Sequence, residues 1–203
     1  MEELILKVIQ QEAEAIKKIP VSGDFKKATE LIFNRVHLNK GKLIASGMGK
    51  AGQIALNIAT TFSSTGTPAV FLHPSDSQHG DLGVIQENDL LLLISNSGKT
   101  REILELVDLA KNLYNDLPLI VISGNPESTL TKVADAFIFT GNPDEVCPLG
   151  LTPTTSTTVM TVIGDALVVA MMVKIGFTCR DYSKRHHGGY LGDKSRQQIR
   201  NIH

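Results

Sequence analysis

Cysteine is scarce in this chain. Cys147 and Cys179 are its only two and they leave no C-x-x-C spacing, too little for the disulfide framework of a secreted domain, so a reducing, cytoplasmic setting is expected. Long hydrophobic runs are missing as well. The longest apolar stretch, Val159 to Val173, holds 15 residues and includes Asp165, short of the ~20 that a membrane-spanning helix needs. It reads as a buried helix. The N-terminal MEELILKVIQQEAEAIKK is charged and amphipathic and lacks the basic stub and apolar centre of a signal peptide. Neither sign of charge dominates. Twenty Lys and Arg stand against 21 Asp and Glu, a formal net charge of −1, so no broad field draws the chain to nucleic acid or to an anionic membrane. A small-molecule partner is the remaining expectation. What the chain does have is length: 203 residues suit one domain that buries roughly 70% of its unfolded surface.

Leu4, Ile5, Val8, Ile9, Ala13 and Ile16 recur at helical spacing, and a second helix is expected from Asp24 to Val36 with Asp24 in its first turn. After Lys42 the texture changes to short apolar runs, LIAS, AVFL, LLLLI, LIVIS and AFIFT, separated by helical segments such as Ala51 to Ser64 and Arg101 to Leu113. That alternation predicts an α/β fold, a three-layer sandwich around a five-stranded parallel sheet. The runs do not alternate polar with apolar residues, as expected of strands covered on both faces. The expected organisation is a single domain over 1–203, with N-terminal helices in 1–38, an α/β core in 40–178 and a polar, glycine-bearing tail in 179–203. A final helix from about Thr155 to Ile175 is apolar on nearly every side. It predicts shelter by the core and by another subunit, hence a homo-oligomer.

Strands one, three and four end in SGMGK, SNSGKT and SGNPEST, each leading into a helix. In open α/β sheets ligands bind beyond the carboxyl ends of the strands where strand order reverses, so an order 2-1-3-4-5 would bring the loops after strands one and three together. The turn from Ser95 to Thr100 is the richest. It leads into a helix starting near Lys99, whose unpaired N–H groups and positive end would face an anion. Ser95, Ser97 and Thr100 add hydroxyls, and Gly98 allows close backbone approach. Helix capping explains one Ser or Asn; hydroxyls on alternate residues and a third after the glycine exceed one cap.

Other motifs carry less. GMGKAG, Gly47 to Gly52, matches G-x-G-x-x-G, but the second strand ends in His73-Pro74-Ser75 where a dinucleotide site wants an acidic residue, and Lys50 sits inside the glycine run. In HGDLG, His79 to Gly83, a histidine lies near an aspartate without metal-ligand spacing, so a hydrogen-bonded loop histidine is expected and no metal. Glu145 precedes CPLGLTPTTSTT, whose threonines either cap the long helix or wall the same pocket. Cys147, beside Pro148, reads as inert packing. His186 and His187 stand before Gly188 and Gly189, too close together for both to bind one metal.

In order along the chain, GMGKAG, FSSTGTPAVFLHPSDSQHGDLG, ISNSGKTREI, EVCPLGLTPTTSTT, GDALVVA and HHGGYLG resemble the sugar isomerase (SIS) domain family, and within it the arabinose-5-phosphate isomerases, over about residues 40 to 192. The resemblance implies a flavodoxin-like sandwich, usually tetrameric, and a phosphosugar substrate. The implied reaction interconverts D-ribulose 5-phosphate and D-arabinose 5-phosphate without a cofactor. Its product feeds synthesis of 3-deoxy-D-manno-octulosonate (Kdo) for lipopolysaccharide or capsule. The resemblance carries catalytic roles to Lys50, Glu102, Glu145 and His186. It carries substrate or phosphate contacts to Gly49, His79, Ser95, Asn96, Ser97, Gly98 and Thr100, and makes 179–203 an active-site tail. There are departures. This chain has RHHGG where many relatives have SHPGG, so His187 occupies the proline position. Many relatives also continue into a pair of CBS domains, whereas this sequence stops at His203; regulation is therefore expected within the isomerase body, for instance feedback by CMP-Kdo at or near the cleft.

Ketose-to-aldose conversion moves a proton between neighbouring carbons through an enediol, which calls for a base, a proton source at the sugar oxygens and charge stabilisation. Glu145, ahead of His186, is the expected carrier of the carbon-bound proton, and His186 handles the sugar oxygens. Lys50 would polarise the carbonyl or neutralise the enediolate, with Glu102 orienting it or exchanging hydroxyl protons. Protein donors thus supply the electrophile. The rival class is a non-catalytic sugar-phosphate sensor, which would keep Ser95, Ser97 and Thr100 without needing all four catalytic residues. Another SIS isomerase, acting on a hexulose phosphate for example, is separated only by turnover.

Overall fold

Aliphatic runs too short for helices and too apolar for the surface pair side by side at the centre of the molecule. In the computed structural model, which describes residues 1–201, these runs form β1 (Leu43–Gly47), β2 (Ala69–Phe71), β3 (Leu90–Ile94), β4 (Leu119–Ser123) and β5 (Ala136–Phe139). All pair in parallel, in the order β2-β1-β3-β4-β5. The last two residues of the expected 179–203 tail lie outside the described residues. Every residue of β1, β3 and β4 is buried. Their ends lie level, Gly47 opposite Ile94 and Ser123 opposite Phe139, so the loops that follow open on one edge.

The period of two along each strand divides the core into two layers. Leu43, Ala45, Leu92, Ile94, Ile120 and Ile122 face α2 (Gly23–Ile32), α3 (Gly49–Ser64) and α6 (Thr155–Lys174). Ile44, Leu91, Leu93, Leu119 and Val121 face α4 (Arg101–Leu113) and α5 (Thr129–Lys132). Fully burying one such side chain contributes roughly 1.5–3 kcal/mol, so a sheet covered on both faces carries most of the stability. The α/β sandwich and the strand order expected from the sequence are both present.

Two helical expectations differ in detail. The second helix ends at Ile32 and continues as a wider π-helical turn, Phe33–Leu38. That turn buries Val36 and sets His37 Nε2 3.1 Å from Thr67 Oγ1. At the other end α6 is not the last helix. A capping box between Thr178 and Asp181 starts α7 (Cys179–Arg185), which pairs with α8 (Gly189–Arg200). With 20 residues, α6 is long and apolar enough to cross a membrane by length and composition alone. Its Val159, Ile163, Leu167 and Met171 are instead buried in the core. Gly164 explains its depth: a Cβ there would collide with Ile58 of α3. The opposite face leaves Val169 and Val173 57% and 78% exposed, and α1 (Glu2–Lys17) packs on α6 without burying any residue fully.

Candidate active site

The level strand ends surround a cavity of about 820 Å³ whose walls include Lys50, Ser95, Asn96, Ser97, Thr100 and Glu145. Three helices start at its rim, since Lys50 lies in the first turn of α3, Thr100 is the N-cap of α4, and Ser156 and Thr157 lie in the first turn of α6. Away from the cavity three helices are capped by hydroxyls, where Ser22, Ser128 and Thr178 accept the amides of Asp24, Thr131 and Asp181, while the N-caps Met1 of α1 and Gly188 of α8 make no such bond. At the cavity Met48 and Thr100 make no side-chain capping bond. Two positive helix ends, each equivalent to roughly +0.5 charge, therefore stand open beside the exposed Lys50. An anion is the natural occupant.

The hydroxyls of the β3–α4 turn hold its shape. Ser95 Oγ and Thr100 Oγ1 share a hydrogen bond of 2.9 Å, Ser95 Oγ accepts the Gly98 amide at 3.2 Å, and Ser97 Oγ accepts the Lys99 amide at 3.2 Å. Capping of α4 does not account for them. Gly98 is required for a different reason from the one expected. Its φ is +62° and a Cβ would collide with Ser128 Oγ, the cap of α5, so the missing side chain admits a neighbouring loop rather than the anion. Gly49, with φ +59°, allows the sharp turn from β1 into α3. A Cβ on Gly52 would lie 2.5 Å from Gly47 O. The G-x-G-x-x-G spacing thus serves tight strand–helix packing.

Glu145 closes the third helix end. Its Oε2 accepts the Thr154 amide at 2.7 Å, the Thr154 hydroxyl at 3.0 Å and the Ser156 amide at 3.3 Å, and its Oε1 accepts the Ser156 hydroxyl. Burial pushes its pKa up, but these hydrogen bonds outweigh burial and hold the carboxyl below its ordinary value. Both alternatives for the TPTTSTT stretch therefore hold at once: it caps α6 through Glu145 and it walls the cavity. Cys147 departs from the inert role expected of it. Its Sγ accepts the amides of Thr152 and Leu151 at 3.2 and 3.3 Å, and hydrogen bonding led by Thr152 lowers the thiol pKa to about 7.

Not every expected residue meets here. Glu102 is half-buried in the first turn of α4 but does not line the cavity. His79 is exposed in a 3-10 turn after β2, also outside the lining. His186 ends α7, its ring stacked on Tyr182 at 3.8 Å and its Nδ1 3.1 Å from Tyr182 O. No residue of α7 or α8 lines the cavity of its own chain. Two residues that do line it were passed over, Asn125 and Asn142. Their signal was available: Gly-Asn-Pro occurs twice, at 124–126 after β4 and at 141–143 after β5.

Residues 38–170 match the SIS domain family. The chain is 48% identical over 197 residues to the arabinose 5-phosphate isomerase KdsD of Yersinia pestis, 96% of this chain and 58% of that protein. It therefore spans little more than half the length of this curated relative. Among solved structures, one from Bacteroides fragilis NCTC 9343, named for a phosphosugar isomerase role in capsule formation, matches with a TM-score of 0.92 and 65% identity over 94% of this chain and 99% of that one. The c3406 protein of E. coli CFT073, in complex with arabinose 5-phosphate, matches with a TM-score of 0.84 and 34% identity over 91% of this chain and 96% of that one.

Proposed function

The chain belongs to the SIS domain family, and from that premise we propose that it is an aldose–ketose isomerase interconverting D-ribulose 5-phosphate and D-arabinose 5-phosphate through an enediol. One observation carries the reading: two uncapped helix ends, a lysine and a hydrogen-bonded carboxylate converge on one cavity in a chain 34% identical to a protein bound to arabinose 5-phosphate. The phosphate rests on the Ser95–Thr100 turn and the start of α4. From there the five-carbon chain extends between Lys50 and Glu145. Lys50 balances the charge that develops on the carbonyl oxygen as the enediolate forms. Glu145 is held ionised, the form that takes a proton from carbon, and the hydroxyls of Thr154 and Ser156 can turn away to raise its basicity when substrate arrives. The family resemblance assigns Glu102 to orienting Lys50 or exchanging hydroxyl protons and assigns His79 and Gly49 to the sugar, although Glu102 and His79 lie outside the cavity lining of their own chain.

His186 serves the oxygens of a sugar bound in a neighbouring copy. Its own cavity is beyond its reach, because α6 runs ~30 Å from the cavity to the end where α7 begins. This reading makes the active form a homo-oligomer, a tetramer as the family resemblance implies. The uncovered Val169 and Val173 support such a contact. The setting is cytoplasmic and the product supplies Kdo for lipopolysaccharide or capsule. Feedback by a larger product such as CMP-Kdo, bound at or near the cleft, belongs to the same reading.

Incubation with D-ribulose 5-phosphate, followed by NMR, tests the reaction. Arabinose 5-phosphate should accumulate to equilibrium, while ribose 5-phosphate and fructose 6-phosphate stay unchanged. Binding without turnover would instead favour a sensor.

A further inference from the structure

We propose that Asn142 is a specificity-determining residue whose carboxamide hydrogen-bonds the secondary hydroxyls of the sugar phosphate's carbon chain; the inference rests on the phosphosugar reading above. Its basis is a contrast between two copies of one tripeptide. In Gly124-Asn125-Pro126 the asparagine is fully used by the fold. Its Nδ2 donates to Ser97 O at 3.0 Å and its Oδ1 accepts the Glu127 amide at 3.0 Å, clamping the β4–α5 loop onto the phosphate turn. In Gly141-Asn142-Pro143 the same residue type does nothing of the kind. Among the described residues the Asn142 carboxamide makes no hydrogen bond, and only its backbone amide does, to Thr140 Oγ1 at 3.3 Å.

Yet Asn142 is held in an unfavourable backbone conformation. Its φ is +48°, one of two positive values among the described non-glycine residues. Pro143 follows, and a proline pushes the residue before it toward extended conformations. A left-handed residue at a cavity wall, with a side chain the fold does not use, is the kind of local strain that functional sites retain. Its direction is informative. A Cβ built on Gly124 would lie 2.6 Å from Asn96 Oδ1 and 3.0 Å from Asn142 Oδ1, so two carboxamides lean over one bare stretch of backbone. Asn96 likewise makes no side-chain hydrogen bond among the described residues and lines the same cavity.

The chemistry of the pair selects its ligand. A carboxamide is neutral and both donates and accepts, which suits a hydroxyl better than a phosphate or a carboxylate. Two such groups side by side match the adjacent hydroxyls of a sugar chain. Asn142 also lies three residues before Glu145 on one segment, so hydroxyl recognition and the placing of the carboxylate are linked.

Asn142→Gly tests this without straining the turn, since glycine adopts left-handed φ freely. Affinities for D-arabinose 5-phosphate and for inorganic phosphate are measured by calorimetry, and kcat/KM is measured for D-ribulose 5-phosphate and its 3-epimer D-xylulose 5-phosphate. The variant should melt no lower than wild type, bind inorganic phosphate unchanged, bind the sugar phosphate about tenfold more weakly and discriminate less between the epimers. Wild-type sugar affinity and selectivity in the glycine variant would overturn the inference. A wild-type protein that binds the sugar without isomerising it would remove the reaction and leave the binding comparison to decide Asn142; one that binds no phosphosugar overturns both.

Discussion

At the scale of single residues, Glu145 joins two jobs in one carboxylate. It caps α6 through Thr154 and Ser156, and it lies in the cavity as the proposed base. Glu145→Gln should lower kcat by about 100 to 10,000-fold, with a modest fall in Tm because the amide still accepts some of the capping bonds. The lowered carboxyl pKa also sets a pH dependence. The folded state holds this proton more weakly than the unfolded state, so the stability it contributes is complete above the ordinary glutamate value of ~4.3 and is lost as pH falls through the lower folded value. Thermal melts in that acid range should converge for wild type and Glu145→Gln, and separate above it. Cys147 makes a second titration visible. With its thiol lowered to about 7, iodoacetamide labelling followed by mass spectrometry should reach its half-maximal rate near pH 7; a midpoint near the ordinary thiol value would show that the turn does not hold the thiolate.

At the scale of elements, the β3–α4 turn and the β4–α5 loop act as one unit. Gly98 fits against Ser128, and Asn125 ties the loop to Ser97 O. Gly98→Ala should therefore do more than strain one residue. The left-handed φ costs about 1–2 kcal/mol with any Cβ, and displacement of Ser128 removes the cap of α5, so calorimetry should record a Tm several degrees lower together with weakened phosphate binding. Unchanged phosphate affinity in a folded Gly98→Ala protein would count against this turn as the phosphate site. The turn itself was legible from its hydroxyls and glycine. The reason for the glycine was not, because Ser128 lies 30 residues away in sequence.

At the scale of the whole molecule, α6 separates the cavity from the histidine that the family resemblance assigns to it. If Glu145 of one copy works with His186 of another, Glu145→Gln and His186→Ala are each nearly inactive alone. Unfolded together and refolded, they should recover about a quarter of wild-type activity, because about half of the randomly formed pairs are mixed and each mixed pair regains one of its two sites. Independent sites within single chains would recover nothing. Sedimentation should find the active species larger than one chain.

The sequence by itself determined the layers. Five short apolar runs find their stable place in a sheet covered on both faces, and the small-residue turns after them mark the edge proposed for the ligand. These are local matters, set by side-chain size, backbone freedom and the period of each element. Tertiary structure alone decided which groups meet. Glu145 finds donors nine and eleven residues away, two copies of Gly-Asn-Pro take different backbone conformations, and His186 is carried to the far end of α6. Each outcome depends on close packing between segments distant in the chain, where a single Cβ against Ser128 or Ile58 decides what fits.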